Sequence, residues 1–166
     1  MRIPKRLTLI SLSAMLILGL TTVLVVKVYA CEQGCTPGYW KQPQHFDSWE
    51  ATGLHPDMLV WQAFDTTNWL PEYGILAEQT LLQTLQKKVG KEWNQQPQYI
   101  HDARILLRHA VASLLNCLHP DIEHVDYTGA WTQWAVNTVM EEINPEYTLI
   151  RAYWFEKYNE VGCPLD

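Results

Sequence analysis

Twenty consecutive residues without a charge, Leu7 to Val26, follow Arg2, Lys5 and Arg6, and fourteen of them are Leu, Ile, Val, Met or Ala. As a helix such a run rises about 30 Å, the thickness of a bilayer's hydrocarbon core, so it reads as an export or membrane signal. The basic cluster ahead of it stays cytoplasmic by the positive-inside rule, which delivers everything after Lys27 to the outside. Three fates are open. A signal peptide would be cut after Ala30, although the apolar run exceeds the usual ~7 to 15 residues. A single transmembrane anchor would retain residues 7–26 and use that extra length. A lipoprotein would carry its lipid on Cys31, with the bulky Tyr29 standing where a small residue is preferred. The chain is therefore expected to comprise a signal peptide or anchor, residues 1–30, and an extracytoplasmic domain, residues 31–166.

Charge divides at the same place. All eighteen acidic residues lie at or beyond Glu32, whereas four of the twelve basic ones precede it. Residues 31–166 thus carry eight basic against eighteen acidic side chains, a net charge of −10. Phosphate backbones need clusters of Lys and Arg that this stretch never presents, so nucleic acid is excluded as a partner. Disorder is excluded too, because eighteen of these residues are Trp, Tyr or Phe and supply a substantial core.

The pattern predicts a mainly α domain whose N-terminal half is irregular. Ile100, Ala103, Leu107, Ala110, Val111, Leu114 and Leu118 recur at spacings of three and four, marking a helix from about Tyr99 to Leu118, between Pro97 and Pro120. A second is expected from about Glu78 to Val89 on Leu81, Leu82, Leu85 and Val89, with Gly90 as a stop. A third, capped by Asp126 or Thr128, carries Trp131, Trp134, Ala135, Thr138, Val139 and Met140 to a break at Asn144-Pro145. The last presents Leu149, Ala152, Tyr153, Phe155 and Glu156 and ends at Gly162. Pro56 to Phe64 is expected to add a short helix. Pro and Gly residues between Thr36 and Gly74 point to an irregular segment wrapped over these helices. No period-two stretch predicts a strand.

Four cysteines in an exported chain read as disulfides, and sequence alone permits three pairings of Cys31, Cys35, Cys117 and Cys163. Cys35 with Cys163 is favoured because it ties the ends of the domain and closes a long loop, worth ~4 to 5 kcal/mol in the chain-entropy model. Cys31 with Cys117 then remains, a bridge that competes with lipidation of Cys31. Zinc on four cysteines is disfavoured, since only Cys31 and Cys35 are close in sequence. A Cys-x-x-Cys-His haem motif is absent.

Gly34-Cys35-Thr36-Pro37-Gly38-Tyr39-Trp40-Lys41, followed by Trp49, resembles the opening of a module found in exported bacterial and archaeal proteins. Arg108-His109-Ala110-Val111-Ala112-Ser113-Leu114-Leu115-Asn116 is similar to its central helix, and Asn159-Glu160-Val161-Gly162-Cys163-Pro164-Leu165 to its closing segment. His119-Pro120-Asp121 and Tyr127 resemble the turn after that helix. The resemblance spans residues 34–165. It departs at Gln42-Pro43, where many members carry Asn-His, so a role for a His at position 43 does not carry over. It implies an architecture and a compartment but no activity, and it supports the Cys35–Cys163 bridge, whose cysteines sit in the two terminal motifs.

Candidate binding residues follow from side-chain chemistry. Tyr39 and Trp40 could form an aromatic platform for a sugar or peptide with Lys41 supplying charge, or could instead plug the core. Trp131 and Trp134 lie one helical turn apart and would form an interface patch if exposed. His109 could be a general base, but a buried His more often hydrogen-bonds a neighbouring loop, here the Thr36-to-Lys41 segment; Arg108 is expected to meet a carboxylate. Neither has an evident nucleophile partner. His119, Asp121 and His124, with Glu123 and Asp126, are weak metal candidates at non-standard spacing; a polar turn serves equally. Phosphate-binding glycine loops are absent. The expectation is a non-catalytic, extracytoplasmic structural or interaction module without a cofactor, either anchored in the membrane or secreted. Its partner would be another envelope protein, a membrane complex or a copy of itself. The alternative from another class is a small glycan hydrolase using carboxylates such as Asp47, Glu50 and Asp57.

Overall fold

The computed structural model describes residues 33–86, 95–123 and 128–165. The expected leader, residues 1–30, lies outside them, as do Cys31, His124, Asp126, Tyr127, Val89 and Gly90. Among the described residues no helix is long and apolar enough to cross a membrane. The described elements are four single-turn helices, α1 Pro37–Trp40, α2 Asp47–Glu50, α3 Val60–Ala63 and α4 Gly74–Ala77; a short helix α5, Leu81–Gln86; and three longer ones, α6 Gln98–Leu118, α7 Gly129–Met140 and α8 Pro145–Asn159. Two 3₁₀ turns, Pro43–His45 and Pro71–Tyr73, complete the irregular half. Among the described residues, β pairing is confined to two isolated bridges, Gly34 with Gly162 and Leu59 with Thr80.

Helix α6 is the axis of the fold. Its periodicity predicts one buried stripe, and it buries far more: from His109 to Asn116 every residue is inside. Helices α1, α5, α7 and α8 all pack against it, so no side of that stretch is left for water. Ala110, Ala112 and Ser113 keep that stretch narrow enough for neighbours to approach. Leu118, the last residue of the expected stripe, is instead 40% exposed.

Local chemistry sets the helix ends. Thr128 Oγ1 accepts from the Trp131 N–H and begins α7. Asn144 Oδ1 accepts from the Tyr147 N–H, and Pro145 supplies the first residue of α8. Helix α7 buries Thr132, Ala135, Val136, Val139 and Met140; Trp131 is half-buried and Trp134 exposed. The irregular half is fastened to the helices by several long-range hydrogen bonds. Trp69 Nε1 donates to Asn137 Oδ1 at 3.0 Å, Gln133 Nε2 donates to the Ala63 carbonyl at 2.6 Å, and the Leu70 N–H donates to the Met140 carbonyl at 2.9 Å. The last two satisfy backbone groups that loops cannot pair among themselves.

Candidate interaction surface

The two ends of the domain meet at a buried polar node. Cys35 and Cys163 form a disulfide across 128 residues of chain. Beside it the Gly34 N–H donates to the Gly162 carbonyl at 2.9 Å. A Cβ on Gly34 would stand 2.2 Å from the Tyr158 carbonyl oxygen, so only glycine fits this close approach. Asn116 lies beneath the bridge, fully buried. Its Oδ1 accepts from the Cys35 N–H and from Trp40 Nε1, each at 3.0 Å. Its Nδ2 donates to the Cys35 carbonyl at 3.0 Å and to Asn159 Oδ1 at 2.8 Å. Asn159 Nδ2 in turn donates to the His109 carbonyl at 2.8 Å. One asparagine thereby joins α1, α6 and α8, and every amide position it offers is used.

This node decides the role of the Tyr39-Trp40-Lys41 cluster. Trp40 has no exposed surface and Tyr39 is 7% exposed, so no aromatic platform faces solvent; the core-plug alternative is the one observed. Trp49 packs edge-on to Trp40 and donates its Nε1 to the Trp40 carbonyl at 3.1 Å. Tyr39 stacks on His45 with ring centroids 3.9 Å apart. Lys41, half-buried, follows α1 as its C-cap.

Arg108 and His109 sit on the side of α6 that meets α5 and α8. Arg108 Nε donates to the Leu85 carbonyl at 3.2 Å, where the expected partner is a carboxylate, because the Leu85 turn of α5 packs beside it. The buried His109 ring brings Nε2 to 3.9 Å from Glu156 Oε1 on α8. Both residues line a cavity of about 290 Å³ with His101, Arg104, Ile105 and Glu156. Burial holds the Arg104 guanidinium below its ordinary pKa.

The remaining candidates fall into local roles. His119 is buried, and its Nδ1 accepts from the Asp121 N–H at 3.2 Å, which shapes the turn after α6. Among the described residues no three His, Cys, Asp or Glu side chains gather as metal ligands. Asp47, Glu50 and Asp57 are exposed. Asp47 and Glu50 share the single turn of α2, so they stand side by side and do not oppose each other across a cleft. Cys117, expected to bridge to Cys31, carries a thiol whose Sγ lies 3.9 Å from Thr132 Oγ1. Burial pushes that thiol up to about 11, opposed by its contact with the Thr132 hydroxyl.

The surface missed in the sequence pattern is the outer face of α8. The expected stripe mixes two faces. Thr148, Ala152 and Phe155 are buried together with Asn159, whereas Leu149, Ile150, Tyr153 and Trp154 are 44%, 46%, 52% and 46% exposed on the opposite side. At 100° per residue, Glu146, Leu149, Ile150, Tyr153, Trp154 and Lys157 share one side of the helix. Trp154 stacks on Tyr158, and the Tyr153 ring meets Trp154 edge-on at 5.8 Å. On the flank, the Arg151 guanidinium sits 4.9 to 5.8 Å from the ring centres of Tyr147, Trp131 and Trp134, which holds these aromatics in place. Two apolar faces on one surface helix cancel in any periodicity test; the excess of Leu, Ile, Tyr and Trp over charge in α8 is the usable signal.

No protein-family model, curated protein or solved structure matches the chain.

Proposed function

We propose that the domain is a non-catalytic extracytoplasmic interaction module, delivered by its N-terminal apolar run and docking through the outer face of α8. The observation that carries this reading is the group of four large apolar side chains on α8, each about half exposed, on a helix already seated in the core by its other face. Leaving such side chains in water forgoes burial worth about 25 cal/mol per Å², and contiguous exposed apolar surface on a stapled domain marks a contact site. The bridge and the Asn116 node support it by fixing α8 against α6 and α1, so the face is presented rigidly and association costs little ordering. The Cys35–Cys163 disulfide is compatible with an oxidising compartment outside the cytoplasm. The dispersal of Tyr39, Trp40, Arg108 and His119 into packing and turn roles leaves the hydrolase and metal alternatives without a favouring observation.

The test is the double substitution Tyr153→Ser with Trp154→Ser. Both side chains point outward, so melting temperature should stay within a few degrees while the size of the native complex, read by gel filtration of a mild extract, falls. An unchanged complex size for the folded variant would defeat the reading.

A further inference from the structure

We propose that the partner of this face is a second copy of the chain, paired antiparallel along α8 about a two-fold axis between Arg151 and Ala152; this rests on the interaction reading above. The argument is the order of residues on the face. In an antiparallel pair centred there, position 150 meets 153 and 146 meets 157 across the seam, while 149 and 154 stand on its two flanks. Ile150 therefore lies against Tyr153 and Glu146 against Lys157, while Leu149 flanks the partner's Tyr153 and Trp154 flanks the partner's Ile150, each contact occurring twice. Aliphatic side chains meet aromatic ones throughout, and unlike charges close both ends. Glu146, Ile150, Tyr153 and Lys157, at spacings of 4, 3 and 4, run as the seam of a helix pair, and the two-fold makes the patch self-complementary as an isologous interface requires. A register centred one residue later would set Lys157 against the buried Thr148 and Tyr153 against the buried Ala152, and would lose both the charge match and the apolar match. The face also supplies enough surface to matter: four side chains about half exposed present on the order of 400 Å² per copy, which with the flanking Trp134 and Tyr158 approaches the lower range of specific interfaces. Both charges also suit the dipole of their own helix, Glu146 in its first turn and Lys157 in its last, so the test must read association and not stability.

Charge exchange tests the register with the full-length chain in detergent or buffer as its leader requires. Lys157→Glu alone and Glu146→Lys alone should each weaken self-association about tenfold by sedimentation velocity, because two attractive contacts become repulsive. Mixing the two variants should restore pairing, since each then meets its opposite charge at both ends. A wild-type monomer across micromolar concentrations, or a dimer indifferent to both exchanges and to their mixing, would overturn the proposal. A photo-crosslinking residue at position 153 in intact cells separates this from failure of the interaction reading. A crosslink to the chain itself supports the second copy. A crosslink to a different protein, with none to itself, overturns the second copy and leaves the interaction reading standing; no crosslink at all defeats both.

Discussion

Asn116 grips Cys35 by both backbone groups, accepting from its N–H and donating to its carbonyl, each at 3.0 Å. The disulfide fixes where the ends of the domain meet, and this amide fixes how the Cys35 backbone is oriented when they do. Replacing Asn116 with Ala would leave the Cys35 N–H, the Trp40 indole and the Asn159 side-chain oxygen buried without that partner. The expected loss is roughly 3 to 5 kcal/mol in urea denaturation. Asn116→Asp is expected to be no better, because it retains the acceptor, loses both donated bonds and buries a charge.

Removing the staple acts on the unfolded chain instead. With a sequence separation of 128 between Cys35 and Cys163, Cys35→Ala with Cys163→Ala should lower unfolding free energy by ~4 to 5 kcal/mol, measured by denaturant titration. Reduction with dithiothreitol should reproduce the shift in the wild type and leave the variant unmoved. A variant as stable as the wild type would place the work of closure on the Asn116 node alone.

Much of this arrangement is legible in the sequence because its signals are local or covalent. The periodicity from Ile100 to Leu114, the Thr128 cap, the Asn144-Pro145 break and the Cys35–Cys163 pair each depend on a few neighbouring residues or a single bond. Asn116 is visible only as the end of a motif. Its place beside Ser113, Leu114 and Leu115 in an apolar helix is the available hint, but its partners come from segments far away in the chain. The His109 ring draws the eye, while its carbonyl is what joins the node. The face of α8 stays hidden because burial of Ala152 and exposure of Tyr153 are decided by where α6 lies, not by the composition of α8.

The half-buried Cys117 thiol makes stability depend on alkaline pH. Its folded pKa is raised to about 11 from 9.0, so the folded chain keeps a proton that the unfolded chain releases. Proton release then favours the unfolded state as pH climbs. The thiol's contribution is fully present below pH 9, declines between 9 and 11, and amounts to at most about 3 kcal/mol. Cys117→Ala should flatten the wild-type decline across that window in denaturation series run at matched pH. The same burial should leave the thiol slow toward maleimide at about pH 7.5. A Cys31–Cys117 bridge would abolish both effects, and nonreducing intact mass would report it as a second loss of two hydrogens.

The interaction reading is tested most directly by oxidative footprinting of the chain in intact cells. Trp61 on α3 is 47% exposed and Trp154 on α8 is 46% exposed, so free in solution they should label alike. If the outer face of α8 is a docking surface, Tyr153 and Trp154 should be protected several-fold while Trp61 labels fully. Equal labelling of Trp61 and Trp154 in place would contradict it.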